Sequence, residues 1–400
     1  MDGTTHRELS GSHEAVLAGA HGVDGVRDLA IDPSPLVLDA IAGLAPAWVG
    51  TGLRLIRTKY KPGRKLTATY VLPGVPERHV AVIWTNDAVR VLVSPHDPAM
   101  PRVAALHDPE HLAVLLGFTG EVETLRFRPG QRHVLRVTAP DRTAYVKVDK
   151  DDSGSRSVPL ARVLGPRVAE LAPGALLAEP IGWSEADRAG LWLGSPGRPL
   201  RGVLGAPEAS GLLRHLGAAV RVLHDTPTDV LPHDARNRDA AAEIAATVRA
   251  GEHVVALLPD LEPALRSAVA DVAAGLAELP VESSRVCHGD LKSDNVLAHE
   301  GTVRLLDLDR VGLADPALDL AKLVADLHWW DADHADGLVA AFRDGYGACE
   351  PARWDRAALL TRLFQLKLTA RRCAVHDPSW ESDVRARVGA AALVPAGGPR

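Results

Sequence analysis

One stretch decides the fold: Val286-Cys-His-Gly-Asp-Leu-Lys-Ser-Asp-Asn-Val-Leu297, followed by Val303-Arg-Leu-Leu-Asp-Leu-Asp309. Apolar runs alternate with polar loops in it, which predicts short strands with polar side chains on the loops that leave them. Asp290, Asn295 and Asp307 lie on these loops. Such hard oxygen ligands suit Mg²⁺, which prefers one or two carboxylates together with substrate phosphates.

Length and composition describe an ordinary globular chain. The 400 residues favour two or three domains, and 46% hydrophobic with 24% charged residues is the usual balance. The net charge of −6 argues against nucleic acid as the main partner, because nucleic-acid-binding proteins usually carry a basic surface. The three widely spaced cysteines imply neither a disulfide framework nor a zinc site, and they fit a reducing compartment.

The first residues and the apolar segments favour a cytoplasmic protein. Met1–Glu8 lacks the basic region followed by an apolar segment that is typical of a signal peptide. No window approaches the roughly 18 uncharged apolar residues that a membrane span needs. We therefore expect a cytoplasmic location and no membrane partner.

Two β-hairpins with similar turns are predicted in the first 150 residues. The turn in Lys61-Pro-Gly-Arg-Lys-Leu66 resembles the turn in Arg128-Pro-Gly-Gln-Arg-His133, and strand-like runs flank both. Only the second hairpin continues into a strand with a central lysine, Ala144-Tyr-Val-Lys-Val148. A charged residue within an apolar strand is costly unless it has a partner. Lys147 is therefore a candidate phosphate contact.

The remainder of the chain predicts mainly helices around the opening stretch. Apolar residues recur at helical spacing from Glu208 to Leu223, and similar patterns follow on both sides of the polar loops. The predicted fold class is α+β. We predict three parts: an N-terminal α+β cap-like unit at 1–118, a β-rich lobe at 119–193 and a helical lobe with the polar loops at 194–400.

The polar residues of the opening stretch form one signature with the acidic residues that follow. Its members are His288-Gly-Asp290, Asn295, Asp307, Asp315 and Asp319. The signature resembles the aminoglycoside phosphotransferase and choline kinase-like family, and the resemblance runs from about residue 120 to about 375. It implies a two-lobed protein kinase-like fold, with a small β-rich N-lobe and a mainly helical C-lobe, preceded here by the extra N-terminal unit.

The resemblance also implies a role for each matching residue. Asp290 would be the catalytic base, Asn295 and Asp307 the magnesium ligands, and Lys147 the lysine that meets the phosphates of ATP. The other implied nucleotide contacts are the turn residues Gly130, Gln131 and Arg132 and the hinge residues Leu191 and Leu193. His288 and Asp319 would support the catalytic loop.

Three further positions keep alternatives open. Lys292 either reaches the γ-phosphate or is a solvated loop lysine. Glu170 is the one candidate in its helix for the glutamate that the family often pairs with the strand lysine. Asp309 stands where the family commonly has a small residue, and it is either a second carboxylate near the metal or an exposed side chain.

Protein kinases are the nearest rival family, because they share His-x-Asp-Leu-Lys-x-x-Asn. Gly289 replaces the arginine that would bind a phosphorylated activation loop. Only seven residues separate Asp307 from Asp315, which leaves no room for an activation segment. We therefore expect an ATP- and Mg²⁺-dependent kinase that transfers the γ-phosphate to a hydroxyl of an aminoglycoside-, amine- or sugar-like acceptor.

Two other functions and the nature of the acceptor stay open. A catalytically silent nucleotide-binding regulatory module would have the same site without transfer. A maltokinase-like sugar kinase would have a β-rich cap like the one that residues 50–118 suggest, together with an early aromatic and basic signature that the sequence lacks. The segment Asp326–Asp336 is acidic and aromatic. It would suit a cationic acceptor through salt bridges and cation–π contacts, or it is a solvated helix end.

Overall fold

The computed structural model describes residues 6–48, 50, 52–74, 78–151, 153–232, 235 and 237–393. The outer ends of the first and third predicted parts, 1–5 and 394–400, lie outside the described residues. No helix in the described part of the chain is long and apolar enough to cross a membrane.

The N-terminal unit is an antiparallel sheet with helices on one face. Its strands, in the spatial order β1-β5-β4-β3-β2, are β1 (His6–Ser10), β2 (Arg54–Lys61), β3 (Lys65–Leu72), β4 (Arg78–Trp84) and β5 (Ala88–Val93). The helices are α1 (Glu14–Leu17), α2 (Gly22–Ile31) and α3 (Pro35–Leu44). Leu66, Ala68 and Tyr70 point from β3 to the helices, and the Tyr70 hydroxyl donates to the Ala30 carbonyl at 2.7 Å.

A second antiparallel sheet forms the N-lobe. After α4 (Pro109–Leu116), its strands are β6 (Glu121–Arg128), β7 (Arg132–Thr138), β8 (Thr143–Asp149), β10 (Pro180–Ser184) and β11 (Ala189–Leu193), in the order β10-β11-β8-β7-β6. Helix α5 (Ser153–Leu171) and strand β9 (Ala175–Leu177) follow β8. One face of this N-lobe sheet packs on Met100, Leu106 and Leu112. The segment just before the lobe therefore supplies part of its core.

The C-lobe is mainly helical. Its helices are α6 (Ala209–His224), α7 (Ala240–Val255), α8 (Glu262–Ala277), α9 (Ala317–Trp330), α10 (Ala335–Tyr346), α11 (Pro351–Arg372) and α12 (Trp380–Leu393). Its short strands are β12 (Arg198–Pro199), β13 (Asn237–Arg238), β14 (Arg285–Cys287), β15 (Val296–His299), β16 (Thr302–Leu305) and β17 (Gly312–Ala314). The predicted α+β class with a β-rich lobe, a helical lobe and an added N-terminal unit is confirmed.

The N-terminal unit packs on both lobes. Its buried core continues into the C-lobe through Leu257 of the segment after α7, Leu366 of α11 and Trp380 of α12. On the outer face of its sheet, Ile83 packs with Phe127 of the N-lobe strand β6. Burying a large side chain of this kind contributes about 1.5–3 kcal/mol. The unit therefore fixes the two lobes relative to one another on one side of the cleft between them.

Candidate active site

The loop after β14 is held by a buried carboxylate at the start of α9. Asp319 accepts hydrogen bonds from the backbone N–H groups of His288, at 2.6 Å, and Gly289, at 2.9 Å. Gly289 has a φ of +73°, and a Cβ there would lie 2.3 Å from the Arg310 carbonyl oxygen. Only glycine accepts both the left-handed backbone and this close approach. These contacts fix the direction in which Asp290 leaves the loop.

The buried ring of His288 connects the backbone of its own loop to the end of β16. Its Nδ1 accepts from the backbone N–H of Asp290 at 3.3 Å, which leaves Nε2 to donate to the Leu306 carbonyl at 2.9 Å. His224 of α6 hydrogen-bonds to Asp319 from the other side. Both ring nitrogens of His288 are used by the backbone, and the supporting role of this residue stays a prediction.

Asp290 is paired with two lysines. Lys292 Nζ lies 2.8 Å from Oδ2, and Lys322 Nζ of α9 contacts Oδ1. Asn295 Nδ2 donates to the Asp290 carbonyl at 2.9 Å and to Oδ2 at 3.2 Å. Burial alone would raise the pKa of Asp290, but the charges and hydrogen bonds of the two lysines outweigh burial and hold the pKa well below its usual range. The carboxylate is therefore ionised at neutral pH.

Lys147 lies between Asp307 and Asp309, the two carboxylates of the loop after β16. Its Nζ lies 2.5 Å from Asp307 Oδ1 and also contacts Asp309 Oδ2. Arg132 Nη2 donates to Asp309 Oδ2 at 2.9 Å, and its Nε donates to Asp149. The N-lobe strands β7 and β8 thus supply cations to the carboxylates of the C-lobe loop.

The surroundings shift the pKa values of Asp307 and Asp309 in opposite directions. Burial would raise the pKa of Asp307, but Lys147, a hydrogen bond with Asp309 and Arg132 outweigh it and lower the pKa. Burial raises the pKa of Asp309 to about 6, helped by the negative charge of Asp307 and opposed by Lys147. Asp309 is only 8% exposed. Of the two alternatives from the sequence, the exposed side chain is therefore wrong.

The turn residues lie over the same cleft and are tied to the N-terminal unit. Gly130 has a φ of +64°, and its N–H donates to Asp97 Oδ2 at 2.7 Å. The Gln131 carbonyl accepts from the Lys150 N–H at 3.0 Å. No local pattern indicated Asp97, because its contact with Gly130 spans 33 residues between two loops.

The expected partner of Lys147 needs correction. Glu170 is exposed near the end of α5, and within the described residues Lys147 forms its ion pairs with Asp307 and Asp309. Leu191 is buried in the core on the face of the sheet that α4 covers, whereas Lys147, paired with Gly190, points to the other face. The side chain of Leu191 therefore points away from the cleft. Leu193 lies at the exposed end of β11.

In the acidic and aromatic segment Asp326–Asp336, the buried aspartate and both tryptophan rings are paired with arginines of the chain itself. Asp326 is fully buried, accepts from the Ser293 N–H at 2.7 Å and pairs with Arg372. The ring faces of Trp329 and Trp330 are covered by three arginines of the same chain, Arg201, Arg372 and Arg387. The expected cation–π contact with a ligand is thus already made internally.

Lys322 is the functional candidate that sequence reasoning missed. It lies one turn after Asp319 in a mostly buried helix, and burial lowers its pKa while Asp290 raises it. A lysine within the apolar run from Ala317 to Leu327 was the available signal, because a buried ammonium requires a partner. His224, Cys287 and Asp319 also lie close together nearby. The hydrogen bonds of His224 and Asp319 mark that cluster as scaffold.

Comparison with known proteins connects this geometry to a family. Residues 123–360 match the phosphotransferase enzyme family. Streptomycin 3''-kinase of Streptomyces griseus is 33% identical over 174 residues, which are 40% of this chain and 62% of that protein. Aminoglycoside 3'-phosphotransferase of Streptomyces fradiae is 31% identical over 181 residues, 41% of this chain and 63% of that protein. The chain thus spans less than two thirds of the length of both relatives.

Two solved structures share the fold. The GDP complex of aminoglycoside 2'-phosphotransferase-IIIa has a TM-score of 0.53 at 14% identity and covers 71% of this chain and 98% of that one. The choline/ethanolamine kinase family protein from Mesorhizobium loti has a TM-score of 0.50 at 19% identity and covers 73% and 94%. The predicted protein kinase-like fold is confirmed.

Proposed function

Because the chain belongs to the phosphotransferase enzyme family, as the resemblance of its sequence implied, we propose that it is an ATP- and Mg²⁺-dependent kinase of a small hydroxyl-bearing acceptor. Two contacts carry the proposal. Asn295 Nδ2 lies 3.2 Å from Asp290 Oδ2, and Lys147 pairs with Asp307 across the cleft. Phosphoryl transfer needs mainly positioned groups and neutralised charge, and this set supplies both.

The side-chain oxygen atoms around Lys147 suit the coordination of a magnesium ion. Asn295 uses its amide nitrogen on Asp290, which leaves the amide oxygen as a ligand. Within the described residues, the buried Oδ1 of Asp309 has no hydrogen-bond partner. Asn295 and Asp307 would hold the ion, with Asp309 beside them. When bound there, Mg²⁺ would supply positive charge that offsets the negative charge on the nucleotide phosphates.

The residues of the chain would divide the remaining tasks. Lys147 would meet the phosphates of the nucleotide beneath the turn Gly130–Arg132. Asp290, ionised and fixed by its loop, would orient the acceptor hydroxyl and accept its proton. Lys292 and Lys322 would place positive charge beside the transferring phosphoryl group, because both already lie against Asp290.

Replacement of the candidate base tests this proposal. Asp290→Asn should lower turnover by roughly 10²–10⁴-fold and leave the affinity for a non-hydrolysable ATP analogue nearly unchanged. Glu300→Gln, on an exposed turn, is the control. The acceptor panel should include aminoglycosides, amines, sugars and sugar phosphates. Near-normal turnover in the Asp290 variant would contradict the role of Asp290. Nucleotide binding by the wild type without transfer to any acceptor would support the silent module instead.

A further inference from the structure

A pocket lies between the N-terminal sheet and the β6–β7 turn. Its polar lining consists of Arg57 and Lys59 from β2, Lys65, Thr67 and Thr69 from β3, Arg128 at the end of β6 and Gln131 in the turn. Ile83 and Phe127, which pack against each other, form the apolar part of its lining. The pocket lining contains four basic residues and no acidic one.

The strand register brings these side chains to one face. Arg57 lies opposite Thr69 and Lys59 lies opposite Thr67. Side chains two residues apart point to the same face of a sheet, so the basic and hydroxyl side chains line one surface. The opposite face of the same strands carries Tyr60, which is buried against the helices. The cations thus form the surface that faces the N-lobe turn.

The basic side chains of the pocket lack counter-charges. Among the described residues, no carboxylate lies within 4.0 Å of a nitrogen of Arg57, Lys59, Lys65 or Arg128, although Arg132 close by is fully paired. Within the described part of the chain, the buried Nε of Arg128 has no hydrogen-bond partner. Lys59 is exposed and Arg128 is half-buried, and their partial desolvation together with the neighbouring cations lowers the pKa of Lys59 to about 8 and that of Arg128 to about 9. Like charges at this spacing repel each other, and a bound anion would remove the repulsion.

The β6–β7 turn joins the pocket to the candidate metal loop. Pro129 and Gln131 of the turn line the pocket. The next residue, Arg132, donates through Nη2 to Asp309 Oδ2 at 2.9 Å, and its Nη1 lies 3.8 Å from Asp307 Oδ2. The pocket therefore borders the candidate nucleotide site.

We propose that this pocket binds a phosphate group of a molecule that occupies the catalytic cleft. Arginine, lysine and threonine side chains offer several donors to one group, and hydrogen bonds to ionised groups are about twice as strong as neutral ones. The N-terminal unit then takes part in substrate binding. The phosphate belongs either to a phosphorylated acceptor or to the nucleotide, and only the choice between these two sources depends on the proposed function.

Direct binding of inorganic phosphate tests the pocket without any need for activity. The double variant Arg57→Gln/Lys59→Gln removes two cations from one wall, and Arg128→Gln removes the cation of the other wall. Arg54→Gln/Arg78→Gln removes two exposed arginines that do not line the pocket. Phosphate affinity is measured by calorimetry, with and without saturating Mg·ADP. Each pocket variant should bind phosphate about tenfold more weakly or worse, and the control variant should bind it like the wild type.

Binding of three further probes separates the two sources. If the phosphate is that of the nucleotide, the double variant should lose affinity for AMP-PNP but not for ADP. If it is that of an acceptor, affinity for both nucleotides should persist while that for glucose 6-phosphate falls. A wild type that does not bind phosphate, or pocket variants that bind it as tightly as the wild type, would overturn the proposal. Neither result depends on whether Asp290 is the base.

Discussion

The carboxylate of Asp97 accepts a hydrogen bond from the backbone N–H of Gly130 at 2.7 Å. The same oxygen, Oδ2, lies 2.8 Å from His133 Nε2, and Oδ1 accepts from the Ala99 N–H at 3.0 Å. Burial would raise the pKa of Asp97, but these hydrogen bonds outweigh it and lower the pKa. A single buried side chain after the N-terminal sheet therefore holds the turn over the candidate nucleotide site.

Asp97→Asn should weaken nucleotide binding more than it affects turnover at saturation. The amide cannot accept from both Gly130 and His133 with the strength of a carboxylate, so the turn loses its fixed position. Stability should fall by about 1–3 kcal/mol. Calorimetric titration with an ATP analogue and urea unfolding measure the two effects. Asp87→Asn, on an exposed turn of the same unit, is the control. Unchanged nucleotide affinity would show that the turn is held by other contacts.

Lys322→Met should move the acid limb of the kcat/KM profile to higher pH. Lys322 is the cation that does most to hold down the pKa of Asp290. Without it, Asp290 is protonated at a higher pH and loses its capacity to accept a proton there. Lys322→Arg keeps the charge and should restore the position of the limb. A profile that keeps its shape while only the maximum falls would assign Lys322 a purely structural role.

Asp309→Asn should change how stability depends on pH. The pKa of Asp309 is about 6 in the folded protein, above its ordinary 3.8. Between these values the folded protein keeps a proton that the unfolded chain releases, so Asp309 lowers stability as pH rises. The variant should therefore gain stability relative to the wild type over this window. Urea unfolding at several pH values measures the gain, and a constant difference would show that Asp309 does not titrate there.

Gly289→Ala should be far more destabilising than Gly301→Ala. Both glycines have left-handed φ angles, +73° and +74°, but a Cβ at Gly301 meets nothing within 4 Å. The control therefore measures backbone strain alone, about 1–2 kcal/mol. The added clash with Arg310 should raise the cost at Gly289 by about 1–3 kcal/mol. Equal losses in urea unfolding would mean that the loop adjusts to admit the methyl group.

The two polar loops of the candidate site could be predicted because their signature is local. His288, Asp290 and Asn295 are joined by a few covalent bonds, so their spacing alone constrains where the side chains lie. Local spacing does not give the direction of the Leu191 side chain, and a contact of this residue with the nucleotide stays a prediction. Whether that side chain points to the core or to the cleft depends on its pairing opposite Val146, and a shift of one residue would reverse the face.

The sequence by itself determined the fold class, the family and the set of polar residues on the two loops. Those features follow from local spacing and from the alternation of apolar and polar residues. Only the tertiary structure decided which charges meet: Lys322 with Asp290, Asp97 with the turn, and Lys147 with Asp309. Among the residues that the structure describes, it also left the cations of β2 facing Arg128 without counter-charges. The reason is physical, because burial and ion pairing depend on through-space distances that chain separation does not fix.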